Sequence, residues 1–528
     1  MMQIFHNANI YTQDRQQPRV TALAIQNEII TAIGSDQDIL ELRESNTKVT
    51  DMHEKTIWPG LIDAHFHFKE YALGLTRVDC ETPTLQECLD KIVQKVQAME
   101  TGEWILGHGW NQNVWDSGFG SLQDLDNISP QNPVYLTSKS IHSAWVNSKA
   151  LQLAGIDSNT SDPVGGVIQR DSNDNPTGIL FETAMNLVEK IIPETTKPEL
   201  KKAFLNAQEK LLSMGLTGGH EAGTSSDSLF IYQDMLDQNI LKFRLIAGLP
   251  YDALEQASVL GLQTGFGNDF LRIGALKLFA DGALGPQTAA MLEPFENSDE
   301  TGILLVDANQ LFKLGKQAVM SGFSLEIHAI GDRANREVLD GLEKIRQFEK
   351  ENHLPVYRHR IEHVQLLHPN DFKRLNDLGI IASMQPIHAT SDIDISDTFW
   401  GRRGEGAYIF NTLLQNGTKL AFGSDSPVET PNPFIGIHAA VTRCRNNGYP
   451  GENGWYPEQR LSLAEAIEAY TIAPAYAAGM EERLGRLSPG YLADLIVLDD
   501  DPFSLPKQDL HKVNPISTMV AGEWVWQL

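Results

Sequence analysis

Four histidines and one aspartate stand where hydrophobic runs give out, and together they have the chemistry of a divalent-metal site. In LIDAHFHF, His65 and His67 are two residues apart, so on a strand both imidazoles point to the same side and can share one cation. His328 ends SLEIHAIGD, His363 lies in HRIEHVQLL, and Asp425 closes LAFGSD. Nitrogen and carboxylate ligands of this kind suit Zn²⁺, Mn²⁺ or Fe²⁺. Taken singly, each residue has an ordinary reading as a hydrogen-bonded core group; taken together at run ends, they point to a metal. Lys277, in GALKLFADGALG, has two readings that spacing does not separate. Its ammonium offers no lone pair, but addition of CO₂ would make it an anionic, bridging carbamate. Alternatively it pairs with Asp281, four residues on.

Residues scattered over 360 positions can meet only if a repetitive fold brings them to one face. Eight strand-like segments run through the middle of the chain: TIWPGLIDAHFHF, MGLTGGHEAG, KFRLIAGLP, RIGALKLFADG, FSLEIHAIGD, YRHRIEHVQ, GIIASMQPIHA and KLAFGSDSPVE. Helix-compatible stretches such as ANREVLDGLEKIRQFEKEN separate most of them. Alternating strand and helix predicts an α/β chain with a parallel sheet, and eight repeats predict closure into a (β/α)₈ barrel. That barrel is expected over 58–480, with an inserted subdomain at about 70–210, over the barrel mouth, holding the strand candidates WILGHGW and NPVYLTSK. Both ends are strand-rich, which predicts one small composite β-sandwich domain built from 1–57 and 481–528.

Composition narrows the function classes. The 528 residues are 41% hydrophobic and 21% charged, as in a globular chain with a full core. A net charge of −27 argues against nucleic acid as a partner. Cys80, Cys88 and Cys444 match no zinc-finger or CxxC spacing and give no disulfide framework. No secretory leader and no transmembrane run is evident, so a cytoplasmic protein without membrane attachment is expected. Oligomeric state is not legible, and a homo-oligomer is allowed.

PGLIDAHFH, the single lysine, the two later histidines, SDSPVE and PGYLADLIVLDDDP resemble the amidohydrolase superfamily of metal-dependent hydrolases. WNQNVW, IHSAWVNSKAL, PTGILFETA, KLFADGALGPQTAAM, IHAIGDRAN and RIEHVQLL resemble amidohydrolase family 3, the group that includes N-substituted formamide deformylases. The resemblance implies one metal on His65, His67 and Asp425, a second on His328 and His363, and a carbamylated Lys277 bridging them. Zinc, one or two per chain, is the expected ion. The implied reaction is hydrolysis of a non-peptide C–N bond in a small-molecule amide, a linear amide or N-substituted formamide, by a metal-activated water attacking the carbonyl. Asp425 would orient that water, take its proton and return it to the leaving nitrogen. His220 and His142 are candidates for substrate or oxyanion binding, and Trp110 and Trp115 for an apolar pocket wall; each also reads as a structural residue. A cyclic amidase or heterocycle deaminase could use the same metal core, and an inactive scaffold barrel is the more distant alternative.

Overall fold

The computed structural model describes residues 2–528 except 113 and 140–142. They form two compact units: Met1–Phe68 with Gln208–Leu528, and Lys69–Ala207.

In the first unit, eight strands pair in parallel and in chain order: β1 (Leu61–Phe66), β2 (Leu216–Glu221), β3 (Arg244–Pro250), β4 (Leu271–Phe279), β5 (Leu325–Ala329), β6 (Arg360–His363), β7 (Ile381–Met384) and β8 (Leu420–Phe422). Nearly every residue in them is buried, the signature of a parallel sheet covered by helices. The helix Asp332–Glu351 illustrates the cover: Val338, Leu339, Leu342 and Ile345 share one buried stripe while charged residues fill the opposite face.

The first strand-like segment proves to be two strands. Thr56–Pro59 belongs to a separate sheet, and Gly60 lets the chain turn from it into β1. A Cβ on Gly60 would meet the Thr217 side chain at 2.4 Å. The seventh segment also divides, into β7 and the short helix Pro386–Ser391. Proline at its first turn suits that start, because the N–H it lacks would have no partner there.

Between β1 and β8 the ladder gives way to a seam tied by individual bonds. Asp425 N–H donates to His65 O (2.7 Å) and His67 N–H to Ser426 O (2.8 Å). Below them the Asp63 carboxylate accepts from Ser424 N–H (3.1 Å) and Ser424 Oγ–H (2.6 Å). Approach is so close that a Cβ on Gly423 would lie 2.5 Å from His65 N.

The chain ends meet in one six-stranded sheet, where Leu495–Leu498 runs antiparallel to Thr56–Pro59. A four-stranded sheet of N-terminal segments packs against it around Phe5, Leu23, Ile25, Ile57, Leu495 and Val497. Arg244 in β3 forks onto the Asp494 carboxylate (2.6 and 2.8 Å), fastening these sheets to the barrel.

The second unit has its own six-stranded mixed sheet and its own core around Cys80, Ile105, Trp110, Leu136 and Trp145. No described helix is long and apolar enough to cross a membrane, and Cys80, Cys88 and Cys444 are free and buried.

Candidate metal centre

Asp425 is the point of convergence. It lies three residues beyond β8 in the left-handed region (φ 57°), which swings its side chain across the strand ends. One carboxylate oxygen, Oδ1, lies 3.3 Å from His65 Nε2 and 3.1 Å from His67 Nε2. The other, Oδ2, lies 3.8 Å from His388 Nε2. Two sets of ligand atoms therefore share this carboxylate, His65–His67–Asp425 and His363–His388–Asp425, each gathered within 4.8 Å.

Strand geometry explains His65 and His67, which alternate onto one side together with Asp63. It does not by itself explain His363. On β6, Arg360 and Glu362 share the barrel interior, where Arg360 pairs with Glu326 and with Glu362 (2.7 Å). His363 should then face outward. Positive φ at His363 (73°) and Val364 (43°) turns the chain there, and the imidazole enters the site with its ring centroid 5.3 Å from that of His65. A β-branched residue in this region is rare, and such strain gathers at functional sites.

Three imidazoles, two buried and that of His328 half-buried, have their far nitrogens occupied. His65 Nδ1 lies 2.7 Å from Glu362 Oε2, His328 Nε2 2.9 Å from Gly282 O, and His363 Nδ1 2.9 Å from Gln385 Oε1. Such second partners fix the tautomer of metal-binding histidines. With the Nδ1 of His65 facing Glu362, its buried Nε2 turns toward Asp425 Oδ1 at 3.3 Å, a lone pair facing a carboxylate oxygen if the ring is neutral. That arrangement is repulsive unless positive charge lies between them. A proton could supply it, but three histidines around one carboxylate suit a divalent cation better, so the residues fit a metal.

Electrostatics agree. Burial opposes ionisation of Asp425, yet the contacts from His65 and His67 outweigh it and hold the carboxyl well below its usual range. Burial and the neighbouring Lys277 push His328 down to about 4, and burial with His328 pushes His363 well down, keeping both imidazoles neutral as ligands must be.

His328 stands apart from the two ligand sets although its ring centroid is 4.6 Å from that of His363. Lys277 is buried, with Nζ 5.1 Å over the Phe279 ring. The alternative pairing with Asp281 is not formed: that carboxylate accepts from the N–H groups of Ala290, Ile330 and Gly331, tying the loops after β4 and β5 together.

His220 is buried at the end of β2, and its Nδ1 accepts from Arg360 Nη1 (2.9 Å), which commits that nitrogen to the barrel interior. Trp110 and Trp115 lie inside the core of the second unit, their indole N–H groups donating to Leu136 O and Thr82 O. His142 falls outside the described residues. Sequence reasoning passed over His388, Glu362 and Gln385. For Glu362 a signal existed: Arg360 and Glu362 are two apart in RIEH, as Glu326 and His328 are in EIH.

A family model described as the amidohydrolase family matches residues 48–526. The chain is 31% identical to the putative amidohydrolase YtcJ of Bacillus subtilis (strain 168), with all of both chains covered. It is 29% identical to the N-substituted formamide deformylase of Arthrobacter pascens, over 98% of this chain and 96% of that one. Among solved structures, an uncharacterized metal-dependent hydrolase from Pyrococcus furiosus superimposes with a TM-score of 0.79 at 29% identity, over 96% of this chain and all of the other.

Proposed function

The chain belongs to the amidohydrolase family, and from that premise we propose that this metal-dependent C–N hydrolase acts on a linear amide, an N-substituted formamide foremost, with zinc as its metal. The observation that carries the reading is the gathering of His65, His67 and His363 around one buried carboxylate, Asp425. The near full-length likeness to a formamide deformylase supports the substrate.

His65, His67 and Asp425 would hold one ion, and His328 and His363 a second, with carbamylated Lys277 between them. Burial lowers the Lys277 ammonium from its ordinary value against the pull of Glu362, Glu326 and Asp425, which favours the neutral amine that CO₂ adds to. A bound divalent ion supplies Lewis acidity, polarising a carbonyl oxygen and making a water acidic. The chain's own groups do the rest. Asp425 takes the proton of the attacking water and delivers it to the amide nitrogen, which leaves poorly unless protonated. Water and amide thus become a carboxylic acid and an amine. Glu362, Gly282 O and Gln385 keep the imidazoles oriented meanwhile. A cytoplasmic setting suits a chain whose three cysteines are all free.

The test is release of amine and acid from N-substituted formamides, longer amides, lactams and aminoheterocycles, alongside metal content. Formamides should be cleaved, chelation should stop the reaction, and zinc should restore it. Turnover of lactams or aminoheterocycles with formamides inert would overturn the substrate reading.

A further inference from the structure

We propose that His388 is a substrate-contacting residue of this site, not a metal ligand: its Nε2–H donates to the amide carbonyl oxygen as that oxygen gains negative charge. The proposal rests on the reading of the site as an amide hydrolase.

His388 reaches the site from the first turns of Pro386–Ser391, directly after β7. Its ring lies parallel to that of His363, 6.0 Å between centroids and 11° between planes. Proximity to His363 and Asp425 makes a ligand role the natural alternative. What separates the two roles is the support behind each ring. His65, His328 and His363 each have a far nitrogen held by a carboxylate, a carbonyl or an amide oxygen. Among the described residues no such acceptor holds His388. Its Nε2 is buried without a hydrogen-bond partner, 3.8 Å from Asp425 Oδ2, beyond direct bonding.

A buried donor left unpaired is uncommon in a native protein and calls for a reason. Here the reason is an acceptor that arrives with the substrate. Asp425 divides the space accordingly: Oδ1 faces His65 and His67, while Oδ2 faces His388. Water delivered along Asp425 attacks the carbonyl carbon, the C–O π pair moves onto oxygen, and His388 meets that oxygen from the Oδ2 side. When the pair returns, the C–N bond breaks and the nitrogen leaves with the proton from Asp425. His388 neither gains nor loses a proton in the sequence.

The experiment compares the zinc-loaded protein with its His388→Leu and His388→Gln variants, reading zinc per chain, thermal midpoint, kcat and KM on an N-substituted formamide. Leucine should leave zinc content intact and lower kcat by about 10²–10³-fold, the usual loss for one oxyanion donor, with KM little changed. Glutamine places an amide N–H near the position of Nε2 and should recover part of the rate. Loss of about one zinc per chain would make His388 a ligand and overturn the proposal; an unchanged kcat would also overturn it. Should the leucine variant fail to fold, the glutamine and His388→Asn pair decides: the shorter asparagine should keep zinc but not rate. A wild-type protein that binds zinc yet cleaves no amide would instead sink the hydrolase reading, and this proposal with it.

Discussion

Glu362 illustrates how much of the centre depends on groups that never meet a substrate. It is fully buried between Arg360 Nε (2.7 Å) and His65 Nδ1 (2.7 Å), and although burial opposes its charge, Arg360 and His65 hold it well below the usual carboxylate range. Glu362→Gln keeps the shape but removes the charge that orients His65. Metal affinity should fall about 10–100-fold, measured by competition with a chromophoric chelator; unchanged affinity would show that His65 orients itself. At this scale the sequence was legible where strand periodicity governs. His65 and His67 follow the two-residue repeat, and so do Glu326 and His328. His363 breaks it, because two left-handed residues reverse which side it faces, and nothing in HRIEHVQ announces them. His388 was invisible for another reason: the seventh segment reads as one continuous strand, whereas the structure bends it into a helix at Pro386.

Among the elements, β8 is the shortest barrel strand, and side chains join the backbone in holding its end to β1. Ser424 Oγ donates to Asp63 Oδ2 and accepts from Ser426 N–H (3.1 Å), so one hydroxyl serves both sides of the seam. Ser424→Ala strips a buried carboxylate of a donor and should cost about 1–3 kcal/mol. Urea unfolding of the metal-free protein would measure it, and a loss under about 0.5 kcal/mol would mean the backbone bonds alone close the barrel. The eight strands themselves were legible as apolar runs ending in small or polar residues. Their limits were not: TIWP and LIDAHF read as one strand because Gly60 separates them with no loss of apolar pattern, and the pairing of Thr56–Pro59 with Leu495–Leu498 and Asn9–Tyr11 is what reveals two sheets.

For the whole molecule, the interior sets the response to acid. Burial lowers His359, whose Nδ1 accepts from Leu325 N–H and whose Nε2 lies 2.9 Å from Glu349 Oε1. Burial and Arg360 lower His220 well below its ordinary value. A histidine lowered in the folded state stabilises the fold above its unfolded value of about 6.5, and that contribution drains away as pH falls, because the unfolded chain binds the extra proton. Asp63 and Asp281, raised by burial to about 6 and about 7, and the raised His65 act in the opposite sense, but the lowered histidines outnumber them. The thermal midpoint of metal-free protein should therefore decline from about pH 7.5 to about pH 5.5; a flat or rising profile would mean that the raised groups prevail.

The seam between β1 and β8 also has a bearing on biosynthesis. Asp63 and Ser424, which it joins, are 361 residues apart in the chain. While the ribosome is still working, His65 and His67 emerge early and wait as an imidazole pair without the carboxylate they share. The last barrel strand to arrive both shuts the ring and is followed at once by Asp425, so a chain terminated before it lacks its closure and its anionic ligand together. Assembly of the shared ligand set thus waits on synthesis through the eighth barrel strand, and chains ended before it would compete poorly for scarce ions.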